Sequence, residues 1–177
     1  MLFRSFKVPG EDIWLVGGAP GWLGCSAWLA TVTGREEGAP PPVDLAVERR
    51  NGEFVASLIR GGRVSAVHDL SDGGLAIALA EMAMAGGIGA CVEIDGAEHG
   101  FFFGEDQGRY ILTAPSTESA ALAEEAKRLN VPLSRIGATG GQTLRLGGAA
   151  PLALAVLSKA YESWLPAYMS RPQGANP

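Results

Sequence analysis

The sequence is poor in residues that carry chemistry on their own. Its 177 residues include two cysteines and two histidines. Cys25 and Cys91 form no C-x-x-C pair, which argues against a disulfide framework or a redox motif. His68 and His99 are too few to complete a structural zinc site with them. Basic clusters are missing too. Net charge is −5 and the one notable basic doublet is Arg49-Arg50, so a nucleic-acid-binding face is not expected. Long apolar runs are absent. The opening MLFRSFKVPG lacks the apolar stretch of a signal peptide. The most apolar early stretch, Ile13 to Val32, is broken by Gly17, Gly18, Pro20, Gly21 and Gly24, which excludes a transmembrane helix. There is no GxGxxG, GK[ST], GxSxG, HExxH or kinase motif set.

What is present is globular composition, with 47% hydrophobic and 19% charged residues. The length suffices for one good domain, or one domain and a fragment. Sparse, unpaired cysteines suggest a reducing, cytoplasmic setting. DIWLVG reads as a buried strand ending at glycine. GREEGAPPPVDL bars a helix through its three prolines and gives the best domain boundary. Asp44 caps a helix that runs to about Arg60 and stops at Gly61-Gly62. RVSAVHDL reads as a strand. A helix follows, with Leu75, Leu79 and Met82 on one face, ended by Gly86-Gly87. GACVEI and RYILTA are strands, and TESAALAEEAKRLN is a helix. RIGAT and TLRLG are short strands around Gly140-Gly141. A last helix carries Leu152, Val156, Leu157, Tyr161 and Trp164. Adjacent strand pairs among the helices imply an α+β two-layer domain, a mixed sheet with helices on one face.

The turn between RVSAVHDL and its helix is the strongest candidate site. Helix N-termini expose backbone N–H groups and partial positive charge, and the Gly73-Gly74 pair permits close approach of a phosphate. Asp69 and Asp72 are hard oxygen donors suited to Mg²⁺. His68 can donate a hydrogen bond or carry a proton. The competing reading makes Ser71 or Asp72 a helix cap, the glycines packing devices and His68 a hydrogen-bonded core residue. FFFGEDQGRY is second: Glu105, Asp106, Gln107 and Arg109 could bind a ribose, an amide or a metal, or Glu105 or Asp106 simply pairs with Arg109. GGAPGWLG reads as a structural turn.

Together GAPPPVDL, SAVHDLSDGGLAIALAEMAMAGGIGA, FGEDQGRY, RIGAT and ESWLPAYM resemble the C-terminal end of the phosphoribosylformylglycinamidine synthase family, in its large synthetase subunit. The resemblance runs from about Asp12 to Met169. The wider superfamily includes aminoimidazole ribonucleotide synthetase, thiamine-phosphate kinase and selenophosphate synthase, which share the Asp-x-Ser/Thr-x-Gly-Gly idea. One departure is LGCSAW, where Cys25 and Ala27 replace the family's usual glycine and acidic residue.

The resemblance implies an AIR synthase-like C-terminal domain over residues 44–166, with 1–43 a remnant of a preceding domain and 167–177 a flexible tail. It implies a ligase of purine biosynthesis. That enzyme uses ATP and Mg²⁺ to convert formylglycinamide ribonucleotide to the amidine, with ammonia from a glutaminase subunit and with a small accessory subunit. The family's catalytic histidine and main metal ligands belong to other domains. No catalytic or metal-ligating residue is therefore assigned here, and the isolated chain is expected to be inactive. His68, Asp69, Ser71, Asp72, Gly73, Gly74, Glu105, Gln107 and Arg109 remain as auxiliary phosphate or ligand contacts. The remaining domains of the same enzyme are the expected partners, with exposed apolar surface around Trp14, Trp22 and Trp28 where they would dock. The alternatives are a fragment of thiamine-phosphate kinase or selenophosphate synthase, or a non-catalytic binding module that forms a homodimer.

Overall fold

The computed structural model describes residues 4–18, 20–94 and 98–170. Its strands are β1 (Asp12–Val16), β2 (Ala66–Asp69), β3 (Ala90–Val92), β4 (Tyr110–Ala114), β5 (Leu133–Thr139), β6 (Thr143–Leu146) and β7 (Leu152–Ala153). Its helices are α1 (Ala27–Thr33), α2 (Leu45–Arg60), α3 (Gly74–Gly86), α4 (His99–Phe103), α5 (Ser119–Arg128) and α6 (Leu154–Met169). The strands form one mixed sheet in the order β2-β4-β1-β5-β3-β6-β7, antiparallel except for β3 beside β6. The α+β class with a mixed sheet therefore agrees with the sequence reading.

The helices, however, flank both faces rather than one. Side chains alternate across a strand, and β1 shows the consequence. Ile13 and Leu15 join a core with α3 and Leu154 of α6, while Trp14 and Val16 join a second core with α2 and α5. β4 does the same with Ile111 and Leu112. A strand buried on both sides loses the polar–apolar alternation that marks a one-faced sheet. DIWLV has none, and all five residues are buried.

β1 lies upstream of residue 43 and belongs to the same sheet as the strands that follow it. β1 is hydrogen-bonded between β4 and β5, in the middle of the sheet. Asp12 at its start is fixed by Arg135 Nε at 2.7 Å and Ser119 Oγ at 2.6 Å. Further upstream, Phe6 is buried and its N–H donates to the Met82 carbonyl of α3 at 3.1 Å. Trp14 is likewise buried in the second core. Trp22 and Trp28 are half-buried, one donating from Nε1 to the Ala39 carbonyl at 2.8 Å, the other against His99. Exposed apolar residues are most numerous on α6, with others such as Val32, Val43 and Leu45 elsewhere.

Helix α2 begins where the sequence indicates, with Asp44 Oδ1 accepting from Ala46 and Val47 N–H at 2.9 and 3.1 Å. Two short helices, α1 and α4, form where loops were expected. Gly140 and Gly141 do turn the chain, but β5 and β6 do not pair with each other. They lie on either side of β3. Residues 167–169 of the expected tail continue α6, and 171–177 lie outside the described residues.

Candidate functional site

The turn after β2 carries the expected residues, and the fold separates them. His68 points into the α3 side of the sheet. It is buried, with Nδ1 donating to the Asp69 carbonyl at 2.5 Å and Nε2 3.0 Å from Glu81 Oε2. Asp69 pairs with Arg4 Nη2 at 2.9 Å. Arg4, His68 and Glu81 border a cavity of about 290 Å³ that Met84 and Tyr161 also line. Asp72 and Glu105 line a different cavity, of about 330 Å³, with Cys25, Ser26 and Glu36. Gln107 faces a third, of about 190 Å³, beside Trp22 and Asp44. Histidine and carboxylates that look like one constellation in sequence thus occupy separate places.

The N-terminus of α3 has its glycines closely packed, as in the competing reading, but without the expected Ser71 or Asp72 cap. Gly73 is the N-cap and no side chain of the turn caps the helix, so Ser71 and Asp72 do not cap it. Both glycines have left-handed backbone, with φ of +77° and +63°, which L side chains disfavour. A Cβ on Gly74 would sit 2.5 Å from the Gly104 carbonyl oxygen and 2.9 Å from the Phe103 carbonyl carbon. That side of Gly74 is filled by the C-terminal end of α4.

The anion at this terminus is the chain's own. Glu105 Oε1 accepts from Gly73 N–H at 2.8 Å and from Ala27 N–H at 2.8 Å. One carboxylate oxygen therefore caps α3 and also meets the first residue of α1. Negative charge at a helix N-terminus is favourable through the helix dipole and the orphan N–H groups. Asp106 repeats the pattern on the preceding loop: its carboxylate accepts from Gly21 and Trp22 N–H at 3.0 and 3.1 Å. Behind it lies Arg109, with a fully buried side chain and Nη1 3.4 Å from Asp106 Oδ2 and 3.2 Å from the Gly104 carbonyl. Burial pushes the Arg109 guanidinium below its ordinary pKa, and Asp106 opposes that shift. Asn51 of α2 closes the assembly by donating to the Gly108 carbonyl at 2.9 Å.

Glu105, Asp106 and Arg109 thus fasten the segment 20–27 and α2 to the start of α3. Arg109 does pair with Asp106, yet the pair is buried, not a solvated turn. Sequence reasoning missed Ala27, Gly21, Trp22, Arg4 and Glu81 as the partners. The available signal was the Glu-Asp doublet directly after the glycine of FGEDQGR, which suits two adjacent loops of unpaired N–H groups. ATP and Mg²⁺ do not fit this donor set. Among the described residues no group of three or more His, Cys, Asp or Glu could hold a metal ion. An incoming phosphate at α3 would meet the Glu105 carboxylate already seated there.

The family model for AIR synthase related protein, C-terminal domain, matches residues 8–147. The chain belongs to that family. The match includes β1, in keeping with its place in the middle of the sheet. This AIR synthase-related domain is 55% identical over 168 residues to phosphoribosylformylglycinamidine synthase subunit PurL of Methylocella silvestris, covering 94% of this chain and 23% of the relative. The domain thus spans about a quarter of the length of the curated relatives it matches. Among solved structures, Thermotoga maritima PurL complexed with FGAR superposes with a TM-score of 0.73 at 18% identity, over 89% of this chain and 29% of that one. The structure of PurLQS from the same organism gives a TM-score of 0.69 at 17% identity, over 87% and 27%. The T. maritima PurL complex with ATP also gives 0.69 at 17% identity, over 89% and 27%. At these identities the structures share the fold. Among the described residues no helix is long and apolar enough to cross a membrane.

Proposed function

We propose that this domain is a structural part of an ATP-dependent synthetase that converts formylglycinamide ribonucleotide to formylglycinamidine ribonucleotide in purine biosynthesis. The observation that carries this reading is the 55% identity to M. silvestris PurL across nearly the whole chain. In this reading ATP and Mg²⁺ activate the amide oxygen at a site formed by other parts of the enzyme. The present residues supply shape: the Glu105–Asp106–Arg109 fastening holds the 20–27 segment rigidly against α3. The auxiliary-contact role of His68, Asp69, Ser71, Asp72, Gly73, Gly74, Glu105, Gln107 and Arg109 is thereby narrowed. Ser71 and Asp72, both exposed in the turn, and Gln107, on another cavity, are the members whose side chains remain open to a ligand. The partners are the rest of the synthetase, a glutaminase subunit and a small accessory subunit, in a cytoplasmic assembly. The PurLQS complex of T. maritima supports that arrangement.

The test is a chimera in which this chain replaces the homologous stretch of M. silvestris PurL. The expected result is purine-independent growth of a host lacking its own synthetase. A chimera that accumulates as folded protein of the right size, yet does not consume formylglycinamide ribonucleotide, overturns the proposal.

A further inference from the structure

His68 is 5% exposed, and both of its ring nitrogens face oxygen. Nδ1 lies 2.5 Å from the Asp69 backbone carbonyl, which can only accept a hydrogen bond. Nε2 lies 3.0 Å from Glu81 Oε2, which also only accepts while the carboxylate is ionised. A neutral imidazole carries one N–H and can serve one of these oxygens. Its other nitrogen would then set a lone pair against an acceptor. Two contacts therefore need two protons. Either the ring holds both, or Glu81 is protonated and donates to Nε2. The Glu81 side chain is half-exposed, so water solvates its carboxylate, and imidazole is the stronger base of the two. The second proton belongs on the ring.

The neighbouring charges agree. Asp69 Oδ1 stands 3.7 Å from Nδ1 and pairs with Arg4 Nη2 at 2.9 Å. Arg4 is thus engaged on the Asp69 side, which leaves Glu81 to the ring. From α6, Glu162, Ser158 and Tyr161 line the cavity that His68 borders, and α3 adds Met84. On β4 the residue opposite His68 is Ile111, which is uncharged. Three carboxylates (Asp69, Glu81 and Glu162) therefore stand against one guanidinium, that of Arg4. Burial opposes a charged ring, whereas nearby carboxylates and hydrogen bonds made by the charged form favour it.

We propose that His68 is held as an imidazolium and that its bond to Glu81 is a pH-sensitive latch between β2 and α3. The latch is closed while Nε2 carries its proton. Loss of that proton turns the contact into two opposed acceptors. The Glu81 side chain then turns away from the ring into water and opens the wall of the cavity that both residues line. The folded chain holds the proton through the Glu81 bond, which the unfolded chain lacks. The stability that the latch contributes is therefore present at lower pH and is lost as pH rises.

Nitrogen NMR of the whole chain, with isotope-labelled histidine, is the test. The chain has two histidines, so a His99→Asn background leaves the signals of His68 alone. The unsubstituted chain gives the same reading without any variant, because buried His68 exchanges its ring protons with water more slowly than exposed His99. The expected result at neutral pH is a one-bond proton coupling on both ring nitrogens of His68. Glu81→Gln keeps the shape and offers an amide donor to Nε2, so there the ring should carry a proton on Nδ1 alone. Urea unfolding gives a second reading: the midpoint advantage of the wild type over Glu81→Gln shrinks from mildly acid to mildly alkaline pH. A singly protonated ring in the wild type, including one that accepts from a protonated Glu81, overturns the proposal. A ring that keeps both protons in Glu81→Gln, or a midpoint difference indifferent to pH, overturns it too.

Discussion

Glu105 offers the most direct handle on the α3 terminus. Glu105→Ala removes one carboxylate and strands two N–H groups, those of Gly73 and Ala27, that it accepts from at 2.8 Å. Losing an N-cap acceptor costs about 0.5–2 kcal/mol, and hydrogen bonds to charged groups are worth about 1.5–3 kcal/mol each. The Ala27 contact is exposed and the Gly73 contact half-buried, so water replaces part of the loss. The expected destabilisation is roughly 2–4 kcal/mol, a fall of roughly 5–15 °C in Tm for a chain of this size. Glu105→Gln keeps an acceptor of the same shape and loses the charge, so about 1 kcal/mol is expected. Urea unfolding with a shared slope measures both. Acetate in the buffer should recover part of the Ala variant's stability and nothing in the wild type, because a free carboxylate can occupy the vacated position. A Glu105→Ala change within about 0.5 kcal/mol, the range of an ordinary surface substitution, refutes the fastening account.

Gly74→Ala places a Cβ against two backbone atoms at positive φ, so a loss of at least about 3 kcal/mol is expected, read as a collapse of soluble yield or of the urea midpoint. Arg109→Met leaves buried Asp106 with its two N–H donors but without its cation; roughly 3 kcal/mol is expected by chemical denaturation, and a neutral result contradicts the positioning role. At Asp12, burial raises the carboxyl pKa, and the Ser119 and Arg135 hydrogen bonds outweigh it, leaving the pKa below the ordinary 3.8. A depressed carboxyl pKa stabilises the fold above its unfolded value, and that stability is lost as pH falls through the folded value. The difference between wild type and Asp12→Asn should therefore be constant above about pH 5 and shrink below pH 4; a gap that widens on acidification contradicts this.

Local chemistry was legible and remote partners were not. Asp44 before a helical pattern, and Gly61 and Gly87 at helix ends, are signals a few residues long, and α2 and α3 lie where those signals put them. The cap of α3 is different: its acceptor is 32 residues further along the chain, beyond any capping pattern read from neighbours. α4 is a five-residue helix, HGFFF, with no capping signal in its own sequence. It is helical where it wedges between Gly21 and Gly74, with Gly100 in backbone contact with Gly21. DIWLV was read correctly as a buried strand, but its neighbours β4 and β5 lie about 100 residues away in sequence. The sheet therefore runs on across the Pro-rich segment 34–45. Of the residues singled out, His68 on β2 borders one cavity and Asp72, in the turn after it, borders another, a separation that no local pattern announces.

The central claim is that the α3 terminus is already satisfied by Glu105 and that the domain performs no nucleotide chemistry alone. Calorimetric titration of the 177-residue chain with ATP and Mg²⁺, with and without formylglycinamide ribonucleotide, tests it most directly, with phosphate release followed in the same samples. The account predicts no saturable heat and no turnover above buffer. Saturable binding that Asp72→Asn or Gly73→Ala abolishes, or any ATP-dependent turnover by this chain, would contradict it.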